Sequence, residues 1–214
     1  MCCPGKKISI KPIVPIDSTT KRRNYLNICL IGESAVGKTC LIRRFRGASF
    51  PDMTIMTVMT DLDLHEHVMD NGESISIRLW DTAGQERFHA LAKINLRHCE
   101  AAILVYDESV PETVEKLKTI WYPLLKESAP NLRFILIVGN KNDILCTADV
   151  GQRIATSLAE FGETCRLHRP AYISISAKAT DTQSCMDVYR QFCAKILKEI
   201  KEADPGHYKE FLLI

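Results

Sequence analysis

The sequence predicts an α/β fold, a mostly parallel sheet with one antiparallel edge strand and helices on both faces. Apolar, strand-like runs alternate with helix-like segments, the pattern of successive strand-helix-strand units. A hairpin signal interrupts that alternation once, and a glycine-bearing loop joins the first strand to the first helix. At 214 residues, 46% hydrophobic and 25% charged, the chain suffices for one soluble domain with a sizeable core and is short for two.

Residues 1–23 mix Pro, Lys, Ser and Thr without a strand or helix period and end in Lys21-Arg22-Arg23, so a flexible extension is expected there. The main domain is expected over 24–203 and a short tail over 204–214. Asn27 to Ile31 is the first strand, and a helix follows from Thr39. Asp61 to Met69 and Ser74 to Trp80 flank Asp70-Asn71-Gly72-Glu73, where Asn-Gly signals a hairpin and hence antiparallel pairing. Within the second of these, Ile75, Ile77 and Leu79 alternate with Ser76 and Arg78, which predicts one core face and one solvent face. Ala101 to Tyr106 is the next strand. Ser109-Val110-Pro111-Glu112 has the spacing of a capping box with an early proline, opening a helix that runs to about Lys126. Phe134 to Val138 and Tyr172 to Ile175 complete the strands, joined by right-handed crossovers. Val188, Phe192, Ile196 and Ile200 recur every four residues beside Tyr189, Cys193 and Leu197, marking an amphipathic last helix.

Composition excludes several functions. A formal charge of +2 is too close to neutral for a nucleic-acid-binding surface, so anion binding should be local. No apolar run approaches a membrane span, and the N-terminus lacks a secretory core. The nine cysteines are odd in number, and Cys29, Cys99 and Cys193 lie in core-like segments, so free thiols in a reducing cytoplasm are expected.

Gly32-Glu33-Ser34-Ala35-Val36-Gly37-Lys38-Thr39 fits the phosphate-binding pattern G-x-x-x-x-G-K-[ST] and stands between a strand and a helix, with Cys40 next in line. Such a loop turns backbone N–H groups inward around phosphate oxygens while the helix N-terminus aims its dipole at the same anion. Lys38 is then a point charge between the terminal phosphates, and the Thr39 hydroxyl a magnesium ligand. Trp80-Asp81-Thr82-Ala83-Gly84-Gln85 ends the third strand: Asp81 can hold magnesium through water, Gly84 can bring a backbone N–H to the γ-phosphate, and Gln85 can orient a water. Asn140-Lys141-Asn142-Asp143 follows the fifth strand at its carboxyl end. Asp143 can accept both adjacent donors of guanine in a bidentate bond, whereas adenine offers an acceptor at N1 and no 2-amino group. Ser176-Ala177-Lys178, after the last strand, can offer the Ala177 N–H to guanine O6 and the Lys178 stem to the ring.

In this order the four motifs resemble the Ras superfamily of small GTPases, a group within the P-loop NTPases, and the GESAVGKTC and DTAGQERF runs most resemble its Rab branch. The resemblance covers residues 25 to 200. It implies a six-stranded sheet with one antiparallel edge strand, GTP as substrate and GDP as product, Mg2+ as cofactor, and two nucleotide-sensitive switch loops over about 53–62 and 84–98. Through those loops effectors, exchange factors and GTPase-activating proteins would bind. By register Phe50 falls where the family sets a ring against the guanine, and Thr57 on the threonine that closes over magnesium and the γ-phosphate, with Thr54 and Thr60 one repeat away. The chain departs from the family at Met59, where a glycine is usual, at Asn95-Leu96, where Rab proteins carry an aromatic pair, and in its ending Lys209 to Ile214, which has no cysteine to prenylate.

The leading expectation is therefore a slow GTPase switch, catalysed by Lys38, Gly84 and Gln85, in vesicle trafficking or signalling. The alternatives are a GTP-binding scaffold with negligible turnover and an ATP-using enzyme on the same loop, against which Gln85 and Asp143 argue respectively. A cytoplasmic location is expected. Cys2 and Cys3, with Lys6, Lys7 and Lys11 nearby, would allow acylated attachment to the cytosolic face of a membrane, and an unmodified tail is the plainer expectation.

Overall fold

The computed structural model describes residues 25–53, 61–68, 72–82, 89–168, 170–206 and 208, the side chains of 89–92 and 167 excepted. Six strands form one sheet: β1 (Leu26–Ile31), β2 (Asp61–Val68), β3 (Ser74–Asp81), β4 (Ala101–Asp107), β5 (Phe134–Asn140) and β6 (Ala171–Ser174). Their spatial order is β2-β3-β1-β4-β5-β6. Only β2 and β3 run antiparallel, so the hairpin and the parallel remainder agree with the sequence. Every residue of β1, β4 and β5 is buried, as strands covered on both faces must be.

Two apolar layers cover the sheet. On one face α1 (Lys38–Phe45) and α6 (Thr182–Ala203) bury Leu41, Phe45, Tyr189, Ile196 and Ile200 against Leu26, Ile28 and Leu30. On the other, Trp121, Leu125 and Phe161 meet Cys29, Ala102 and Leu104; these helical residues come from the stretch 112–128 and from α5 (Ala148–Cys165). Helix α2 (His89–Leu96) adds Leu96. Cys29, Cys99 and Cys193 are buried free thiols. Among the described residues no helix is long and apolar enough to cross a membrane.

The helix expected from Ser109 differs in two ways. It is α3 (Glu112–Lys116) and α4 (Tyr122–Ser128), joined by a π-helical stretch at Leu117–Trp121. Pro123 explains the widened turn: it has no N–H to give the Thr119 carbonyl four residues back, so the ladder is re-spaced ahead of it. The capping box does not form either. Ser109 directs both its N–H and its hydroxyl to Asp107 Oδ1, at 2.9 and 2.6 Å, and Pro111 occupies the cap without a side-chain bond. Nor do Ser76 and Arg78 face open solvent: Ser76 is buried and the half-buried Arg78 lays its guanidinium 3.7 Å from the centre of the Tyr25 ring.

Strand β2 reverses the usual alternation. Leu62, Leu64 and Val68 are exposed, while Asp63, His65 and His67 on the opposite face are half-buried. Polar pairs seat that inner face: Arg46 Nε meets Asp63 Oδ2 at 3.1 Å, and His65 Nε2 lies 2.9 Å from the hydroxyl of Tyr189, whose ring stacks on Phe45. Tyr208, in the stretch read as a tail, is 2% exposed and packs into the α6-side core. Its hydroxyl donates to Glu73 Oε2 at 2.5 Å, beside the hairpin turn, and Lys201 Nζ stands 3.5 Å from the same oxygen.

His65 supplies a pH dependence. Burial, with Arg46 and His67 adding to it, lowers its pKa from 6.5 to about 3. Within that window the unfolded chain takes up a proton that the folded one refuses, so stability falls as pH drops below 6.5. Urea midpoints for His65→Phe should fall less steeply across the window than those of the parent. Parallel profiles would show that His65 does not carry the effect.

Candidate functional site

A phosphate loop needs backbone that ordinary residues resist, and residues 32–37 have it. Gly32 has φ 149° and Gly37 φ 96°, and a Cβ would lie 2.2 Å from the Val105 carbonyl oxygen at the first and 2.3 Å from Asn140 Nδ2 at the second. Ala35 takes the left-handed region without that freedom, at φ 62°. Gly37 heads α1 with no side-chain cap and no acid in the first turn, so the helix start keeps its positive end. Val36 is buried beneath the loop, and Glu33, Ser34 and Cys40 are half-buried around it.

Lys38 is 6% exposed and folds over the loop, its Nζ donating to the carbonyls of Gly32 and Glu33 at 3.0 and 2.9 Å. Burial lowers its pKa to about 8 against the opposing pull of Asp81 and Glu33. Thr39 Oγ1 donates to Asp81 Oδ2 at 2.5 Å, which sets the hydroxyl beside the carboxylate. Asp81 Oδ1 is buried with no hydrogen-bond partner among the described residues. Burial raises the Asp81 pKa while Thr39 and Lys38 lower it, and the net shift is upward. A buried carboxylate with an orphaned oxygen beside a hydroxyl is a hard-oxygen donor set that fits magnesium. Thr82 Oγ1, donating to the Leu30 carbonyl at 2.6 Å, fixes the strand end that carries Asp81.

Asn140 joins the two ends of the site. It is 2% exposed; its Nδ2 donates to the Val36 carbonyl at 2.7 Å, and its Oδ1 accepts the Ala177 N–H at 2.9 Å. One amide thus ties the phosphate loop to the loop after β6. The Ala177 N–H, the group expected to meet guanine O6, is held at this junction by Asn140. Ser176 Oγ accepts the N–H groups of Lys178 and Ala179 at 3.1 and 2.8 Å, making that loop a rigid turn, with Lys178 exposed on it. Lys141 has φ 67°, and its Nζ meets Asp107 Oδ2 at 2.6 Å. Asp143 is exposed beyond it, and Phe50 is half-buried against the α6-side core. Thr57, Gly84 and Gln85 lie outside the described residues, as do Thr54 and Thr60.

Three positioning residues escaped sequence reasoning. Asp107, opposite Asn140 in the β4–β5 register, holds Lys141; burial raises its pKa, but hydrogen bonds from Lys141 and Ser109 outweigh that and lower it overall. Its signal was its place: like Asp81, it ends a strand at the carboxyl edge. Arg44, 5% exposed on α1, donates to Thr182 Oγ1 at 2.6 Å and to the Thr180 carbonyl at 2.5 Å, bracing the Ser176 loop from the other side. Lys116 pairs with Glu33 from α3. Neither of the last two has a local sequence signal, because each contact joins distant segments.

The model of the Ras family matches residues 27–198. The chain belongs to the Ras family. Among its Ras-family relatives it is similar to the Ras-related protein Rab-30 of Homo sapiens, 37% identical over 154 residues that make up 72% of each chain. It is likewise similar to the Ras-related protein SEC4 of Saccharomyces cerevisiae, 38% identical over 138 residues and 63% of each chain. A third, the Ras-related protein Rab-21 of Mus musculus, is 38% identical over 139 residues, 65% of this chain and 62% of the relative. This is a Rab-like small GTPase of the Ras superfamily with the P-loop fold of that family.

Proposed function

We propose that the chain binds GTP and GDP with magnesium, hydrolyses GTP slowly, and works as a nucleotide-dependent switch in vesicle trafficking or signalling. The observation that carries this reading is the Asn140 amide, which draws a triphosphate-type loop and a base-type loop into one site at the carboxyl edge of the sheet. In this reading residues 24–203 are the nucleotide-binding domain. Residues 32–40 enclose the phosphates, with Lys38 their counter-charge. Thr39, Thr57 and, through water, Asp81 would hold magnesium, which would supply positive charge against the phosphates. Asp143 reads the guanine edge, with Phe50, Asn140, Lys141, Ser176, Ala177 and Lys178 around the base. Gly84 and Gln85 act at the γ-phosphate, Gln85 by aligning water, so that rate comes from positioning and charge stabilisation.

Partners that distinguish GTP from GDP would read the segments 53–62 and 84–98. The proposed location is the cytoplasm, including the cytosolic face of a membrane, where Cys2 and Cys3 would serve as acylation sites.

The test is competition against a fluorescent guanine nucleotide followed by phosphate release under single turnover. GDP and GTP should displace the probe while ATP does not, and phosphate should appear slowly. Displacement by ATP as effective as by GDP would sink the base assignment, and a complete lack of phosphate release, even with Rab-type activating proteins, would leave a scaffold.

A further inference from the structure

The phosphate loop carries a negative charge of its own. Glu33, the first residue after Gly32, bends its carboxylate back so that Oε1 accepts the Ser34 N–H at 3.1 Å, taking up one of the backbone donors that such a loop turns toward an anion. The other oxygen, Oε2, pairs with Lys116 Nζ from α3. The Glu33 side chain is 17% exposed and the Lys116 side chain 48%, so the acid is lodged against the loop and the base reaches it from solvent. Glu33 also acts electrostatically on Lys38.

A carboxylate in an anion cradle works against the cradle, by repelling phosphate and by occupying a donor. We infer that Lys116 is the counter-charge that neutralises Glu33, and that the Glu33–Lys116 pair sets how tightly this loop holds a nucleotide. The inference rests on the reading of the loop as a nucleotide site. Its consequence is a difference in sign. Losing Lys116 leaves the carboxylate uncompensated and weakens binding. Losing only the charge of Glu33 removes the acid from the cradle and strengthens it. GTP, with more negative charge than GDP, responds more strongly to either change. Because Lys116 is half-exposed, salt screens the effect.

The experiment measures equilibrium binding of fluorescent GDP and GTP to the full chain and to Lys116→Met, Lys116→Gln and Glu33→Gln. Glutamine at 33 keeps an acceptor for the Ser34 N–H, so it isolates charge. At low salt both Lys116 variants should bind GTP about fivefold more weakly and Glu33→Gln should bind it about fivefold more tightly, the size expected of one unit charge about 4 Å away at the dielectric of water. Both differences should shrink toward unity at about 0.5 M salt. Agreement between the two Lys116 replacements separates charge from packing. Shifts of the same sign at positions 33 and 116, or none at either, overturn the inference while leaving the site reading intact, since the parent still binds. Failure of the parent to bind any guanine nucleotide overturns the site reading, and the inference with it.

Discussion

Asn140→Ala should cost about 2–5 kcal/mol of stability in the nucleotide-free protein and should abolish tight guanine nucleotide binding. The amide is almost fully buried and makes two bonds, from Nδ2 to the Val36 carbonyl and to Oδ1 from the Ala177 N–H. Removing it strands one backbone acceptor and one backbone donor away from water, each costing about 1–3 kcal/mol. A cavity beside Gly37 also opens, because Asn140 Nδ2 occupies the place where a side chain of residue 37 would begin. Asn140→Asp should fall between: it can accept from Ala177, but an ionised carboxylate cannot donate to Val36 and would repel its carbonyl. Urea denaturation without nucleotide reads the stability term, and GDP titration reads the binding term. If Asn140→Ala has parent-like stability and GDP affinity, the amide does not join the two loops.

Asp143→Asn should weaken guanine nucleotide binding by more than about 2 kcal/mol, because it loses a charge-assisted bidentate contact. It should also improve xanthine nucleotide binding. Xanthine replaces the 2-amino donor of guanine with a carbonyl, which the new amide can meet. Asp143 is exposed and has no structural partner among the described residues to lose, so the effect should appear in binding and leave the urea midpoint nearly unchanged. Isothermal titration with GDP and XDP decides the matter: equal GDP affinity in parent and variant would remove the argument that this carboxylate selects guanine.

The fold was legible because its signals are periodic and local. Fully apolar β1, β4 and β5, the Asn71-Gly72 hairpin and the four-residue repeat of α6 each state their own geometry, and strand ends differed from expectation by one or two residues. The phosphate loop was legible for a related reason, since its glycines, lysine and threonine are contiguous. What failed were contacts that compete. Ser109 has capping-box spacing, but its hydroxyl turns to donate to the Asp107 carboxylate, as its N–H does, and so is not aimed at a helix N–H. The Asn140–Ala177 bond had no sequence signal, because it joins segments distant in the chain. The π-helical turn ahead of Pro123 was readable in principle, from a proline inside an otherwise helical run.

Strand β2 has a thermodynamic consequence. It touches the sheet along one edge only, through β3, and turns Leu62, Leu64 and Val68 outward, so hydrophobic burial contributes little to holding it down. Its attachment is a ladder of backbone bonds plus a few polar pairs on the inner face, whereas β1, β4 and β5 cannot leave without exposing the core. The domain should therefore open in unequal steps, with the β2 amides exchanging with solvent through a local excursion of low free energy and the central strands only through global unfolding. The Tyr208–Glu73 bond lies at the far end of the hairpin, where it acts as a hinge pin: β2 can peel from its Asp61 end while its Val68 end stays paired to Ser74, next to the Glu73 that Tyr208 and Lys201 hold.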